Sequence, residues 1–244
     1  MDQLSNKLGN SAGTVIGILM RQSFPLPADP LSAHVLFIDG EALIVDKPAF
    51  LPVATPRVRA MSVEMQLKDL TFGFARPPSI VHRLDQDTSG CLLLARNPKA
   101  HKRFGAAFEA GTVVKRYVAV LDGVPEASEG EIDLPLGKIS SEAQGWRIVV
   151  DPAGKNALSR WRTLSVVDGR ALVEFSPKTG RTHQLRVHAA SGLGLPILGD
   201  MMYGRSGSGL MLHATYLSIP RDGKPPVEAT APLPARFERL GFAL

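Results

Sequence analysis

Apolar and β-branched residues gather in short runs bounded by turn residues along most of this chain. Residues 42–47, 90–96, 113–121 and 170–175 each read as strands. Val167-Asp168-Gly169-Arg170 separates the runs 161–166 and 171–175, and its Asp-Gly pair predicts a tight hairpin. Helical spacing is rarer: 62–70, 98–110 closed by Gly111, and 182–191 closed by Gly192. Strand runs outnumber helical ones, so the expected class is α+β. A mixed, mainly antiparallel central β-sheet should be flanked by helices and loops.

The two ends read differently. Residues 1–35 are expected to form an N-terminal arm. Its apolar stretch 12–20 lacks the flanks of a signal peptide and reads as a helix packed on the domain, and Phe24-Pro25-Leu26-Pro27-Ala28-Asp29-Pro30 reads as extended chain. Residues 36–244 read as one domain. The proline-rich tail, Lys224-Pro225-Pro226 and Pro232-Leu233-Pro234, reads as a strap laid over the surface before a last short helix.

A 44% hydrophobic chain of 244 residues can bury a substantial core. The net charge of +5 permits a polyanionic partner without requiring one. Cys91 is the single cysteine, which excludes an intramolecular disulfide and a multi-cysteine metal site and fits the reducing cytoplasm. No run approaches the roughly 20 apolar residues of a membrane-spanning helix, so no membrane partner is expected.

Candidate chemistry concentrates in two segments. Asp85 and Asp87 precede the turn Thr88-Ser89-Gly90, where the same residue types also serve as ordinary backbone caps. The segment from Lys178 to His188 begins at a strand end and enters a helix, with Thr179 or Thr182 as its cap. His183 and His188 are five apart, which turns them about 140° from each other on a helix and argues against a metal pair. Ser89 lacks the Gly-x-Ser-x-Gly elbow of a hydrolase. No glycine-rich phosphate loop is present, so no nucleotide cofactor is indicated. Lys99, His101, Lys102 and Arg103, with Lys115 and Arg116 around Tyr117, form a basic stretch suited to phosphates and a stacked base.

Taken together, several segments resemble the RluA-type RNA pseudouridine synthases. They are Asp46-Lys47-Pro48, Leu51-Pro52-Val53, His82-Arg83-Leu84-Asp85, Thr88-Ser89-Gly90, Lys115-Arg116-Tyr117, the run from Gly180 to His188, Pro196-Ile197-Leu198-Gly199-Asp200, Tyr203-Gly204, Leu212-His213-Ala214 and Ala231-Pro232-Leu233-Pro234. Phe50 departs from the family's usual glycine. Nothing before Leu36 resembles an S4 RNA-binding domain.

The resemblance implies a cofactor-free isomerase that breaks the uracil N1–C1′ bond, turns the base and rejoins it through C5. Asp85 would attack C1′ or assist removal of the C2′ proton. Arg181 would pair with Asp85, while Tyr117 and Leu185 would wall the base slot. Tyr117 would also assist loss of the C5 proton. Arg83 would fill the gap left by the flipped uridine, and His82 and Asp87 would support the loop or, for His82, touch substrate. The implied partner is RNA, in structured loops of tRNA, large-subunit rRNA or both, bound by a monomer. Two other classes compete: a non-catalytic RNA-folding module that keeps the pocket, and a nucleosidase needing a second carboxylate.

Overall fold

The computed structural model describes residues 29–57, 61–141, 145–205, 207 and 209–244. The expected helix over 12–20 and nearly all of the 24–30 segment lie outside these residues. The described end of the arm is a 3-10 turn, Leu31–His34, anchored by the buried Leu31 side chain and by its backbone N–H donating to Gln66 Oε1 at 3.1 Å.

In chain order the strands and helices are β1 (Val35–Ile38), β2 (Ala42–Lys47), α1 (Val63–Gln66), β3 (Ser79–Ile80), β4 (Ser89–Ala95), α2 (Pro98–Glu109), β5 (Val114–Leu121), β6 (Glu129–Asp133), β7 (Leu136–Ser141), β8 (Gly145–Val150), β9 (Leu158–Val167), β10 (Arg170–Pro177), α3 (Gln184–Val187), β11 (Leu212–Arg221), β12 (Lys224–Thr230) and α4 (Ala235–Glu238). The main sheet runs β1-β2-β4-β11-β5-β10-β9-β6, with β12 added to β11 and β3 to β4. β7 and β8 form a separate hairpin. Among the described pairings only β4–β11 is parallel, so the α+β, mainly antiparallel expectation holds.

Burial explains the strands. All seven positions of β4 are buried, because both its faces are covered. Cys91, Leu93 and Ala95 pack on one side with Ala100 and Phe104 of α2, and Leu92 and Leu94 pack on the other with Val63, Leu70 and Leu84. α2 starts where Asn97 Oδ1 accepts from the Ala100 N–H at 2.9 Å and Pro98 takes the first turn, and Gly111 at φ +69° follows its end. The β9–β10 hairpin turns at Asp168 and Gly169, both at positive φ, as a tight two-residue turn demands.

Three sequence expectations need correction. The 62–70 helix is one α-helical turn capped by Ser62, then a 3-10 turn, Leu67–Leu70. The tail over 224–230 is a strand, not a strap: Pro225 and Pro226 fall at the register irregularity between the Arg221–Lys224 and Ile219–Val227 pairs, where the missing N–H groups are tolerated. The 182–191 helix is only α3 followed by a wide π-type turn, His188–Gly192. Neither threonine caps it. His183 holds the cap position in the left-handed region, and Thr179 Oγ1 bonds Gln184 Oε1 instead, at 2.7 Å.

Phe50 sits at φ +68°, the region where glycine is free and other residues are strained by roughly 1–2 kcal/mol. Its ring lies against Gly209, where a Cβ would come within 2.6 Å of Phe50 Cζ. The family's usual glycine is thus replaced here by a side chain docked onto the 199–209 loop.

Candidate active site

The loop between β3 and β4 presents Asp85. Its carbonyl closes a turn by accepting the Thr88 N–H at 3.1 Å. Lys47, fully buried at the end of β2, donates to the carbonyls of Pro48, Leu51 and Gln86 at 2.8, 2.8 and 3.1 Å, so one ammonium pins the residue after Asp85. Burial pushes that lysine down to about 7, with Asp87 and Asp85 acting against the shift. Downstream, Ser89 Oγ lies 2.8 Å from Nδ1 of buried His213 and accepts from Arg236 at 2.6 Å, which serves a structural join and no nucleophile. Gly90 permits the close β4–β11 contact, since a Cβ there would fall 2.2 Å from the Ala214 carbonyl oxygen.

A cleft of about 630 Å³ opens over this loop, lined among others by Arg83, Asp85, Lys115, Tyr117, Arg181, His183, Leu185 and Arg186. Asp85 is the only acid among its lining residues. Tyr117, on β5, sits between two core clusters. Burial and the neighbouring Asp85 push its phenol above the usual range, so it offers a neutral ring face. Leu185 is buried on α3 at the same cleft. Lys115, two residues before Tyr117 on β5, donates to the Thr179 carbonyl at 3.3 Å, and burial holds its ammonium below the usual lysine range. Arg83 is exposed at the rim.

The arginine beside Asp85 is Arg186, not Arg181. One Arg186 guanidinium nitrogen lies 3.8 Å from Asp85 Oδ2, while its Nε and another nitrogen grip Asp200 at 2.7 Å each. Arg181 instead donates from Nε to the Asn156 carbonyl at 3.0 Å. The reason is geometric. Gln184 Oε1 accepts the Arg181 N–H and Thr179 Oγ–H while its amide donates to Leu158 O and Ser159 Oγ, which fastens this loop to β9 and leaves Arg181 at the mouth. Helical spacing then carries Arg186 inward.

His82 also differs from a substrate contact. Its Nε2 accepts the Leu93 N–H at 3.0 Å and its ring stacks on Phe108, away from the cleft lining. Burial first, then Lys115, lowers it to about 3, so it is a neutral support. His188 is likewise structural, bonded to Ser159 Oγ and Leu134 O. Among the described residues no group of three His, Cys, Asp or Glu side chains could hold a metal.

Asp200, Tyr203 and His183 complete the surroundings of Asp85, and sequence reasoning gave them no role. Asp200 is fully buried and accepts the Met202 and Tyr203 N–H groups at 2.9 and 3.1 Å besides the two Arg186 bonds. These donors and the guanidinium overcome burial and hold its carboxyl below the usual range. The available signal was proximity of motifs: Asp200 and Tyr203 lie in the segments that carry the family resemblance.

The cleft brings together one acid, an aromatic ring and a clamped arginine, and its lining lacks the second carboxylate that a two-carboxylate hydrolase needs. The RNA pseudouridylate synthase family model matches residues 41–191. The chain belongs to the RluA-type RNA pseudouridine synthases, which are isomerases. An uncharacterized RNA pseudouridine synthase of Zymomonas mobilis is 60% identical over 216 residues, 87% of this chain and 99% of that protein. Ribosomal large subunit pseudouridine synthase D of the same organism is 36% identical over 77% of this chain and 61% of its own length. The structure of Human RNA Pseudouridylate Synthase Domain Containing 4 matches with a TM-score of 0.73 at 26% identity, covering 88% and 95% of the two chains.

Proposed function

We propose that this protein isomerises specific uridines to pseudouridine in structured RNA loops, with Asp85 as its catalytic carboxylate. The observation that carries the assignment is that Asp85 is the only acid lining the cleft and faces Arg186, itself locked to Asp200. Asp85 acts at the ribose, attacking C1′ or taking the C2′ proton. The N1–C1′ bond breaks and the base turns between Tyr117 and Leu185. C1′ then joins C5, and the C5 proton leaves with Tyr117 assisting while N1 gains a proton, so the isomerisation is proton-neutral overall. Arg83 enters the gap left by the flipped nucleotide, a role supported by its exposure at the rim of the cleft. Arg181, Arg83 and Lys115 supply cations for the backbone phosphates.

Large-subunit rRNA is one substrate class, supported by the name of the Zymomonas mobilis relative; tRNA loops are the other. A nucleosidase would require a second carboxylate at the cleft, and the lining supplies none. The buried single thiol of Cys91 fits action in the cytoplasm.

The test is pseudouridine mapping in total RNA incubated with the wild-type chain and with Asp85→Asn. Sites should form with wild type alone, while RNA affinity persists in the variant. Near-wild-type turnover by Asp85→Asn would refute the assignment.

A further inference from the structure

His183 stands out for its backbone as much as for its ring. It is held at φ +53°, a conformation costly for a residue with a Cβ, directly before α3, and its side chain makes no capping bond there. The strained backbone aims the ring instead. Nε2 points at Asp85 Oδ2 from 3.8 Å, and Nδ1 lies 2.9 Å from the Tyr203 hydroxyl.

The tautomer follows from the partner's own bonds. Tyr203 Oη accepts the Ile148 N–H at 3.0 Å, a backbone donor with no choice of role. The phenolic proton is then best satisfied by Nδ1, which must be bare to accept it, and the remaining proton of a neutral ring sits on Nε2, facing Asp85. Edge contacts from Trp146 and Tyr203 fix the ring plane, with centroids 5.1 and 5.6 Å away.

We infer that His183, oriented by Tyr203, is a positioning residue that offers a neutral N–H to Asp85, fixing the attacking oxygen without adding a second full positive charge beside Arg186. The inference rests on Asp85 being the catalytic carboxylate. Catalytic hydrogen bonds are often long before substrate seats and tighten afterwards, so the 3.8 Å spacing suits a bond completed on the RNA.

The charges facing His183 are Asp85 and Asp200, which favour its protonation, and Arg186 and Arg83, which oppose it. Burial is the largest influence and keeps the ring neutral to lower pH than usual. A hydroxyl donating to Nδ1 further favours the neutral form, so its removal should let the ring protonate at higher pH.

The first measurement is a long-range proton–nitrogen correlation on the full chain labelled with ¹⁵N-histidine, the His183 signals being assigned by their loss in His183→Gln. The expected result at pH 7.5 is a protonated Nε2 and a bare Nδ1. A ring protonated at Nδ1 overturns the inference, and this outcome does not depend on any activity. The second is the pH profile of kcat on RNA. Tyr203→Phe should move the acid limb to higher pH with KM nearly unchanged. His183→Leu should lose about tenfold or more in kcat, since a displacement of about 1 Å of a reacting group can cost about a hundredfold, and His183→Gln should recover part of it by restoring a donor. An acid limb left in place by Tyr203→Phe overturns the inference. Should wild type form no pseudouridine while the tautomer is as expected, the proposed activity fails and takes the positioning role of His183 with it, whereas an Nδ1-protonated ring in an active enzyme overturns the inference alone.

Discussion

Arg186 and Asp200 form a buried, two-pronged ion pair, both contacts at 2.7 Å, whose free edge is what reaches Asp85. The pair therefore joins stability to the site. Asp200→Ala would strand the Arg186 guanidinium in a buried position, and breaking such a pair costs about 3–5 kcal/mol. Urea unfolding should show that loss at an unchanged m-value, together with loss of pseudouridine formation. A variant as stable as wild type would show that the pair carries no such weight.

The two arginines of the 181–186 segment should separate kinetically. Arg186→Lys removes the planar fork that grips Asp200 and cannot serve it and Asp85 together. It should lower kcat by about a hundredfold or more, in line with an electrostatic group at the reacting centre. Arg181→Lys, at the mouth and bonded to Asn156 O, should mainly raise KM and leave kcat close to wild type. Steady-state kinetics on a transcript containing a mapped site decides between them, and the opposite ranking would return Arg181 to Asp85.

The sequence made the continuous strands legible because burial writes itself as apolar runs. β2 falls on 42–47 as expected, and β4, β5 and β10 agree within a residue or two. β6 and β7 escape the pattern because they are short and rich in polar or small residues, and β8, though it ends in Ile148-Val149-Val150, is a short run without clear alternation. At the site, motif order located Asp85, Tyr117 and Leu185 at one cleft. It could not choose between Arg181 and Arg186, because that choice depends on Gln184 holding the preceding loop to β9, a contact 26 residues apart in sequence. Nor could it give the turn before α3, where His183 takes a left-handed conformation that its residue type does not advertise.

Acid should unfold this protein through two buried histidines. His82 and His213 are both held near 3, by burial first and then by Lys115 and Arg236 respectively. In the unfolded chain they titrate near 6.5, so between about pH 3 and 6.5 the unfolded state binds more protons and stability rises with pH. Each group contributes a slope of at most about 1.4 kcal/mol per pH unit in that window. Urea unfolding at pH 7.5, 6 and 5 should show stability falling at each step, more steeply per pH unit between 6 and 5. His213→Asn, which keeps an acceptor for the Ser89 hydroxyl, should flatten the fall, and an unaltered slope would remove His213 from the account.

Gly90 is where the loop that carries Asp85 is tied to the sheet. It lies at φ +110°, and a methyl group there would meet Ala214 O, N and C at 2.2, 2.6 and 2.7 Å. Those are backbone atoms of the parallel partner strand, which cannot swing aside as a flexible side chain could. Gly90→Ala must therefore push β4 from β11 or break the local conformation, with strain of about 1–3 kcal/mol from the dihedral and a similar overpacking penalty. Because Ser89 bonds His213 across the same junction, and Asp85 is four residues upstream of Ser89, the displacement should pass into the turn that holds Asp85. The expected result is a loss of stability of about 2–6 kcal/mol in urea, by the sum of those two effects. At temperatures where the variant stays folded, kcat should fall more than RNA affinity does, since two of the three proposed phosphate-binding cations, Lys115 on β5 and Arg181 before α3, lie outside the Asp85 turn. A folded Gly90→Ala with wild-type kcat would mean that the Asp85 turn is held by Lys47 alone.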